Sequence, residues 1–343
     1  MKKFVSLALA VAMTFSLAAC GGSPAAPSPS PAAAPTPSPS APAPAPAKSG
    51  PIKVGIINNP PSESGYRAAN VADFEGVFSA ANGYDAKTFY SLNNDEQLNA
   101  AQQFITGGVD YLLISAAATD GWDATLKSAK EAGIKVLLFD RMINCDPSMY
   151  EAAVVSDMAQ EGINSMKWLQ DQKLPEYNVI HIQGVMGSDA QIGRSKAFSD
   201  LVSAGKMKCV AEQTAEWDTN KAQQFVTSVI NSGAKFNVVY AENDDMAKGA
   251  VAALDAAGIT HGVDKDVIIM SYDCNKWALK ELLAGNWNFD QQCSPFQAST
   301  IDGMIKQLQA GQPLAQKKVI SEEKGFDART ITQADVDKYG LGK

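Results

Sequence analysis

Histidine and clustered basic residues are both scarce in this sequence. The two histidines, His181 and His261, have no visible nucleophile or metal ligand beside them, so a histidine-based hydrolase is not expected. Acidic residues outnumber basic ones by 37 to 29, which gives a formal net charge of −8, and there is no run of Lys and Arg. Such a balance argues against nucleic acid as a partner.

A dinucleotide-binding motif is also missing. The glycines between residues 184 and 193 separate a predicted strand from a predicted helix, but they lack the Gly-x-Gly-x-x-Gly pattern. A hydroxyl or a carboxylate of a ligand could still lie near that helix start, and Arg194 would suit either, so an acidic ligand stays open. We expect no cofactor.

The first 20 residues carry a targeting pattern. Met1-Lys2-Lys3 gives a positive start, residues 4–19 form an apolar run too short to span a bilayer, and Leu17-Ala18-Ala19 precedes Cys20. This pattern resembles a bacterial lipoprotein signal. The resemblance implies that residues 1–19 form a removed signal peptide and that Cys20 is lipidated. The alternative is an ordinary secretory signal with an incidental cysteine.

The next segment has the composition of a spacer. Residues 21–50 consist almost entirely of Ala, Pro, Ser and Gly and hold ten of the 17 prolines. Such a composition favours extended polyproline II over a packed structure. We therefore predict that residues 20–50 form a lipidated linker, which anchors an extracytoplasmic protein to the cell membrane through Cys20. No later segment is long and apolar enough to cross a membrane.

From residue 52 onward, short apolar or β-branched runs alternate with longer amphipathic stretches. This alternation is typical of a parallel sheet covered by helices, and it restarts near residue 152. It predicts an α/β protein with two Rossmann-like lobes. The predicted strands lie at 52–58, 85–90, 110–115, 135–139, 152–156, 177–182, 208–213, 236–240 and 266–271. The predicted helices lie at 66–82, 95–107, 121–133, 159–173, 189–204, 219–232, 244–257 and 275–284.

Polar and aromatic side chains collect at the carboxyl ends of these strands, where doubly wound sheets bind their ligands. Charged groups there bond vicinal hydroxyls, while aromatic faces cover apolar C–H surface, so the set predicts a sugar site. The candidate residues are Glu63, Ser64, Tyr66, Arg67, Asp140, Arg141, Arg194, Trp217, Asn243 and Asp273.

Several of these segments resemble substrate-binding proteins of ABC sugar importers of the ribose and galactose type. Leu138-Phe139-Asp140-Arg141 is similar to the strand end whose Asp and Arg grip sugar hydroxyls in that family. Asn243 stands in a similar Asn-Asp segment, and Asp273 ends a similar strand. The resemblance also implies a sugar-binding role for Arg194 and a ring-stacking role for Trp217.

Two loops look most like the galactofuranose-binding branch of that family, namely Glu63-Ser64-Gly65-Tyr66-Arg67 and Thr119-Asp120-Gly121-Trp122-Asp123. Met158 stands where ribose binders carry a sugar-contacting Asn, and a thioether is a weak hydrogen-bond partner, so ribose is not expected. The resemblance implies a galactose- or galactofuranose-like aldose, with arabinose and related aldoses left open. The calcium loop of some galactose and glucose binders is not visible, and no metal is predicted.

The family architecture implies a type I periplasmic binding protein fold, with its lobes joined by a three-stranded hinge. By resemblance, the hinge lies near Asp157, Cys293 and Ile320, the N-terminal lobe comprises 51–156 plus 294–320, and the C-terminal lobe comprises 157–293 plus 321–343. The implied protein is a monomer that closes on a monosaccharide and delivers it to an ABC permease and its ATPase. The alternative is a sensor that presents its ligand to a membrane chemoreceptor or kinase.

Some of these residues have structural alternatives. Asp140 and Arg141 could form only an ion pair, and Asn243 could cap the helix that follows it. Asp140 and Asp273 could form a glycosidase pair. Each of the two has a basic or amide neighbour that would keep it ionised, so no enzyme is predicted.

Four cysteines follow Cys20, at positions 145, 209, 274 and 293. Outside the cytoplasm they could form disulfides, and Cys274 with Cys293 is the favoured pair because each ends a predicted neighbouring strand. Free buried thiols are the equal alternative.

Overall fold

The computed structural model describes residues 50–342. The predicted signal peptide, Cys20 and the linker up to residue 49 lie outside the described residues. Between residues 50 and 342, no helix combines the length and the apolar character that a membrane span requires.

Short strands alternate with helices along this part of the chain. The strands are β1 (Ile52–Asn58), β2 (Tyr84–Tyr90), β3 (Tyr111–Ile114), β4 (Lys135–Asp140), β5 (Ala152–Val155), β6 (Asn178–Gln183), β7 (Lys208–Thr214), β8 (Val238–Ala241), β9 (Ile268–Tyr272), β10 (Phe289–Gln291), β11 (Lys318–Ile320) and β12 (Gly325–Asp327). The helices are α1 (Gly65–Val77), α2 (Asn94–Thr106), α3 (Asp123–Glu131), α4 (Met158–Asp171), α5 (Asp189–Ser203), α6 (Thr219–Asn231), α7 (Asp244–Ala256), α8 (Lys276–Leu283), α9 (Ala298–Gln309) and α10 (Gln333–Tyr339).

The strands form two six-stranded sheets. The first has the order β11-β5-β4-β3-β1-β2 and is parallel throughout. The second has the order β12-β10-β9-β8-β6-β7, in which only β12 is antiparallel to its neighbour. Each sheet with its helices is called a lobe below, and this α/β architecture of two Rossmann-like lobes confirms the predicted fold class.

Both faces of the first sheet are apolar at its centre, which is why the inner strands β1, β3, β4 and β5 are almost continuous runs of buried residues. Successive side chains of a strand point to opposite faces. Accordingly, Leu112 packs in one buried cluster with Leu126 of α3, while Leu113 packs in another with Ile301 of α9. Burial on two faces is the rule for parallel sheets covered by helices.

The chain crosses between the lobes at three places. It leaves the first sheet after β5 at Ser156, returns after β10 through residues 292–297, and crosses again between β11 and β12 through residues 321–324. The crossings are tied together, because Glu323 Oε1 accepts hydrogen bonds from Ser156 Oγ at 2.6 Å and from the Ser294 amide at 2.7 Å.

The predicted helix 66–82 is too long. In the structure α1 ends at Val77, and a short 3₁₀ turn follows at Ala80–Asn82. The Asn82 side chain donates to the Gly76 and Val77 carbonyls, at 3.1 and 2.9 Å, and so satisfies groups that the next helical turn would have used. The sequence pattern also fails to predict β10, α9, β11, β12 and α10.

Candidate ligand-binding site

The carboxyl ends of both sheets face a common cavity between the lobes. Its empty volume, which includes space open to solvent, is about 290 Å³. The lining residues are Glu63, Ser64, Tyr66, Asp140, Arg141, Met158, Ala190, Arg194, Trp217, Asn243, Asp273 and Cys293.

Asp140 is the centre of the polar wall on the first lobe. Its Oδ2 accepts hydrogen bonds from Arg67 Nη2 at 2.7 Å, Ser115 Oγ at 2.7 Å and Arg141 Nε at 3.2 Å. Its Oδ1 accepts one from the Tyr66 hydroxyl at 2.8 Å. Although burial acts against ionisation, the Arg67 and Arg141 charges hold the pKa of Asp140 below its usual range. Asp140 is therefore an ionised acceptor at the cavity surface.

Arg194 of α5 is the centre of the opposite wall. Its Nε donates to Glu161 Oε2 at 2.7 Å, and its Nη2 lies 3.6 Å from Asp273 Oδ1. The guanidinium carbon sits 4.4 Å from the ring centroid of Tyr272, within cation–π range. The pKa of Arg194 is raised because Glu161 and Asp273 outweigh the effect of burial, so the side chain stays charged.

The surroundings of Asp273 act against the ionised carboxylate that the sequence predicts. Burial, together with the nearby carboxyls of Asp244, Asp245 and Glu161, raises the pKa of Asp273 well above its ordinary value. Arg194 opposes this shift, but the separation of 3.6 Å is too long for a strong charge-assisted hydrogen bond. The two walls thus differ, because the pKa of Asp140 is lowered by its arginine neighbours while the pKa of Asp273 is raised by burial and by nearby carboxyls.

Trp217 forms an apolar part of the cavity wall and is 4% exposed. It packs over Gly184 so closely that a Cβ at that position would come within 1.8 Å of the indole ring. Gly184 therefore sets how deeply the ring enters the second lobe. The indole N–H of Trp217 has no hydrogen-bond partner among the described residues.

Three of the predicted site residues occupy a backbone region that is unfavourable for side chains other than glycine. Asp140 has φ of 66°, Trp217 has 67° and Asp273 has 104°. Such positions cost about 1–3 kcal/mol each and cluster at functional sites. All three follow strand ends, so the sharp turn there aims the side chain into the cavity.

Asn243 serves two roles at the start of α7. Its Oδ1 accepts a hydrogen bond from the Met246 amide at 2.8 Å, which is an N-cap interaction, while the residue also lines the cavity. The next residue, Asp244, is fully buried, and its Oδ2 accepts from the amide of Asn275 at 2.7 Å. Capping and lining are thus combined in Asn243.

Comparison with known proteins explains this arrangement. Residues 52–312 match the family described as the periplasmic binding protein domain. The chain belongs to this family of periplasmic binding proteins. Its relatives include the galactofuranose-binding protein YtfQ of Escherichia coli (strain K12), which is 30% identical over 301 residues, or 85% of this chain and 93% of the relative.

Solved structures of other periplasmic binding proteins have the same fold. A galactofuranose binding protein is 28% identical with a TM-score of 0.76, over 84% of this chain and 98% of that one. The binding component of the arabinose ABC transporter of Shewanella sp. ANA-3, bound to α- and β-L-arabinofuranose, is 28% identical with a TM-score of 0.76. That match covers 84% of this chain and 95% of the other.

Of the residues predicted from the sequence of this periplasmic binding protein, all but Arg67 line the cavity. Arg67 is fully buried behind the wall, where it donates to Asp140, to Glu63 Oε2 at 3.0 Å and to Asn58 Oδ1 at 2.8 Å. Its long stem runs from the first turn of α1 inward toward the sheet. Arg67 therefore orients two lining carboxylates and is placed away from a ligand.

Three lining residues were not predicted as site residues, namely Met158, Ala190 and Cys293. In the sequence, Met158 stands out as a departure from ribose binders, and Cys293 stands out as a disulfide candidate and as a residue near the implied hinge. In the described residues all four cysteines are free, so the disulfide between Cys274 and Cys293 is absent and the alternative of free thiols holds. Cys274 and Cys293 are buried, and burial raises the pKa of each of these two thiols well above its ordinary value.

Proposed function

We propose that this protein captures a monosaccharide of the galactose or galactofuranose type between its two lobes and delivers it to an ABC permease and its ATPase. The observation that supports the proposal most directly is the small polar cavity, which is lined from both lobes at once. A ligand there bonds to Asp140 on one side and to Arg194 and Asp273 on the other, so it favours the closed form over an open one.

The proposed ligand is small, neutral and rich in hydroxyls. Asp140 is an ionised acceptor, Arg141 and Arg194 are donors, and Asn243 adds an amide, which together match the mixed donor and acceptor character of vicinal hydroxyls. Trp217 supplies the apolar face that covers C–H groups. The relatives named for galactofuranose and arabinofuranose support a furanose form of the aldose.

The proposed role is binding without catalysis, even though the pKa values of Asp140 and Asp273 differ in the direction that an acid and base pair requires. Arg67 and Arg141 hold the pKa of Asp140 below its usual range, so this carboxylate is too weak a base to activate a water molecule. Recovery of the bound sugar unchanged, measured by NMR after prolonged incubation, tests this point. Formation of a new product would contradict it.

We also propose that Cys20 is lipidated and that the linker holds the binding domain at the outer side of the cell membrane as a monomer. The proposal rests on the sequence pattern of residues 1–50. Membrane fractionation and intact mass of the native protein test it, with Cys20→Ser as the variant. Unchanged membrane association of that variant would contradict the anchor.

A calorimetric screen tests the central proposal. The panel comprises galactose, arabinose, fructose and ribose with furanose forms where they are available, uronic acids as the acidic set, and small polyols. We expect one-to-one binding of a neutral aldose and a rise in melting temperature at saturating ligand. If only uronic acids bind, the proposed ligand is an acidic sugar and not a neutral one. If the folded protein binds no compound of the panel, the result contradicts sugar capture.

A further inference from the structure

A second cluster of potential ligand atoms lies where the chain crosses between the lobes. Glu161 comes from α4, Cys293 follows β10, and Glu323 lies between β11 and β12. One oxygen or sulfur atom of each lies within 4.8 Å of the other two. Three separate chain segments therefore bring a thiol and two carboxyls to one point.

The cluster is buried and incompletely satisfied. Glu161 and Cys293 are each 2% exposed. Arg194 Nε donates a hydrogen bond to Glu161 Oε2, whereas Glu161 Oε1 accepts none from a group that always carries a proton. It faces groups of Cys293 and Glu323 that donate only when they carry a proton. Without those protons the buried carboxylate oxygen would have no partner, which is costly, and a bound cation would take their place.

Neighbouring groups hold the other two residues in place. Glu323 Oε1 accepts from Ser156 Oγ and from the Ser294 amide, and Cys293 Sγ lies 3.5 Å from the same Ser156 Oγ. Hydrogen bonds of this kind orient the ligands of metal sites. Among residues 50–342, Arg194 is the one cationic side chain paired with the cluster, whereas the potential ligands of the cluster include two carboxyls and a thiol.

We propose that Glu161, Cys293 and Glu323 bind a thiophilic divalent cation, with Zn²⁺ as the reference ion, at the junction of the three crossing segments. A thiolate favours Zn²⁺ over Mg²⁺ or Ca²⁺, and three protein ligands leave a fourth position for another donor. Zinc bonds of about 2.0–2.3 Å place ligand atoms roughly 3.5 Å apart, so side-chain rotations close the cluster. The proposal goes beyond sugar capture, because Glu161 and Glu323 do not line the sugar cavity. Cys293 is the one member of the cluster that does.

The test uses Co²⁺ and Zn²⁺ on the purified protein after treatment with a chelator. We expect one Co²⁺ per chain with the near-ultraviolet charge-transfer absorption of a cobalt–thiolate bond, and displacement of Co²⁺ by Zn²⁺. Cys293→Ser removes the absorption, and Glu323→Gln weakens Zn²⁺ binding at least tenfold. Cys274→Ser is the matched control, because Cys274 is an equally buried thiol outside the cluster.

Each outcome decides the proposal. The absence of a thiolate band in the unaltered protein, or its persistence in Cys293→Ser, overturns it. Loss of the band in Cys274→Ser with retention in Cys293→Ser also overturns it, since the cation would then bind elsewhere. If Cys293→Ser does not fold, the nearly isosteric Glu323→Gln still decides, and unchanged Zn²⁺ affinity in that variant overturns the site.

Discussion

The Gly65 amide of the first lobe donates a hydrogen bond to Asp245 Oδ2 of the second lobe at 3.1 Å. The approach is close enough that a Cβ on Gly65 would lie 1.8 Å from Asn275 Oδ1. Asn275 cannot easily yield, because it is 2% exposed and its amide group bonds to Asp244 Oδ2 at 3.1 Å. Glycine at position 65 is therefore a requirement of the closed arrangement.

The substitution Gly65→Ala tests that requirement. We expect at least tenfold weaker sugar binding, equivalent to about 1.4 kcal/mol, because the added methyl group opposes closure. The melting temperature without sugar should not fall, since alanine favours the helix. Gly76→Ala on the same helix is the control, because nothing lies within 4 Å of its Cβ position. Equal affinity of both variants, measured by calorimetry, would contradict the closure argument.

Replacement of Arg67 by methionine tests its role behind the cavity wall. The change leaves Asp140 and Glu63 without their buried cation, and breaking a buried pair in this way costs about 3–5 kcal/mol of unfolding free energy. We also expect weaker sugar binding, although Arg67 does not line the cavity. Urea denaturation measures the first effect. Arg329→Met, at an exposed ion pair, serves as the control, and an equally small effect at both sites would refute the role of Arg67.

Asn243 allows its two roles to be separated. Serine also caps helices, so Asn243→Ser should preserve stability while it removes the amide from the cavity, with an expected loss of about 1–3 kcal/mol in sugar binding. Asn243→Ala should lose in addition about 1 kcal/mol of unfolding free energy. Calorimetry and denaturation of both variants provide the measurements. Full affinity in Asn243→Ser would show that the residue only caps α7.

Stability should fall as pH rises, because Asp244 and Asp290 form a buried carboxyl pair. Burial and the Asp273 carboxyl raise the pKa of Asp290 to about 8, although the hydrogen bond to Asp244 opposes the shift, whereas an unfolded aspartate ionises near about 4. The folded protein therefore holds a proton that the unfolded chain has released between these values, so unfolding free energy declines across that window. The raised pKa of His181, between Glu212 and Glu242, adds a decline in the same direction above about 6.5.

Asp290→Asn isolates the contribution of the carboxyl pair. We expect its melting temperature to vary less between pH 5 and about 8 than that of the parent, because asparagine resembles the protonated acid and does not titrate. Asp200→Asn, at an exposed position, should leave the parental pH dependence unchanged. An identical slope in all three proteins would mean that the pair does not hold the proton.

The fold could be predicted from the sequence because its strands are short apolar runs with helices between them. Most cavity residues could be predicted for a related reason, since they follow strand ends such as those of β4 and β9, where the topology gathers them. Arg67 was misplaced because its position beside Glu63 and Tyr66 says nothing of its direction, which packing against β1 and β4 decides.

Two other features depend on distances that no sequence pattern contains. The raised pKa of Asp273 arises from burial and from carboxyls that approach it from other segments. The contact of Gly65 with Asn275 joins residues more than 200 positions apart, and the shared site of Glu161, Cys293 and Glu323 likewise joins three distant segments. Through-space relationships of this kind emerge only once the lobes are folded.

The bridge from Gly65 to Asp245 has two counterparts across the cleft. The Met142 amide donates to Asp189 Oδ2 at 2.8 Å, and the Thr119 amide donates to the Gly187 carbonyl at 3.0 Å. A sugar enclosed behind these bridges departs only after the lobes separate. Its residence time is then set by the opening rate of the protein, so two sugars of different affinity would differ mainly in how strongly they slow that opening.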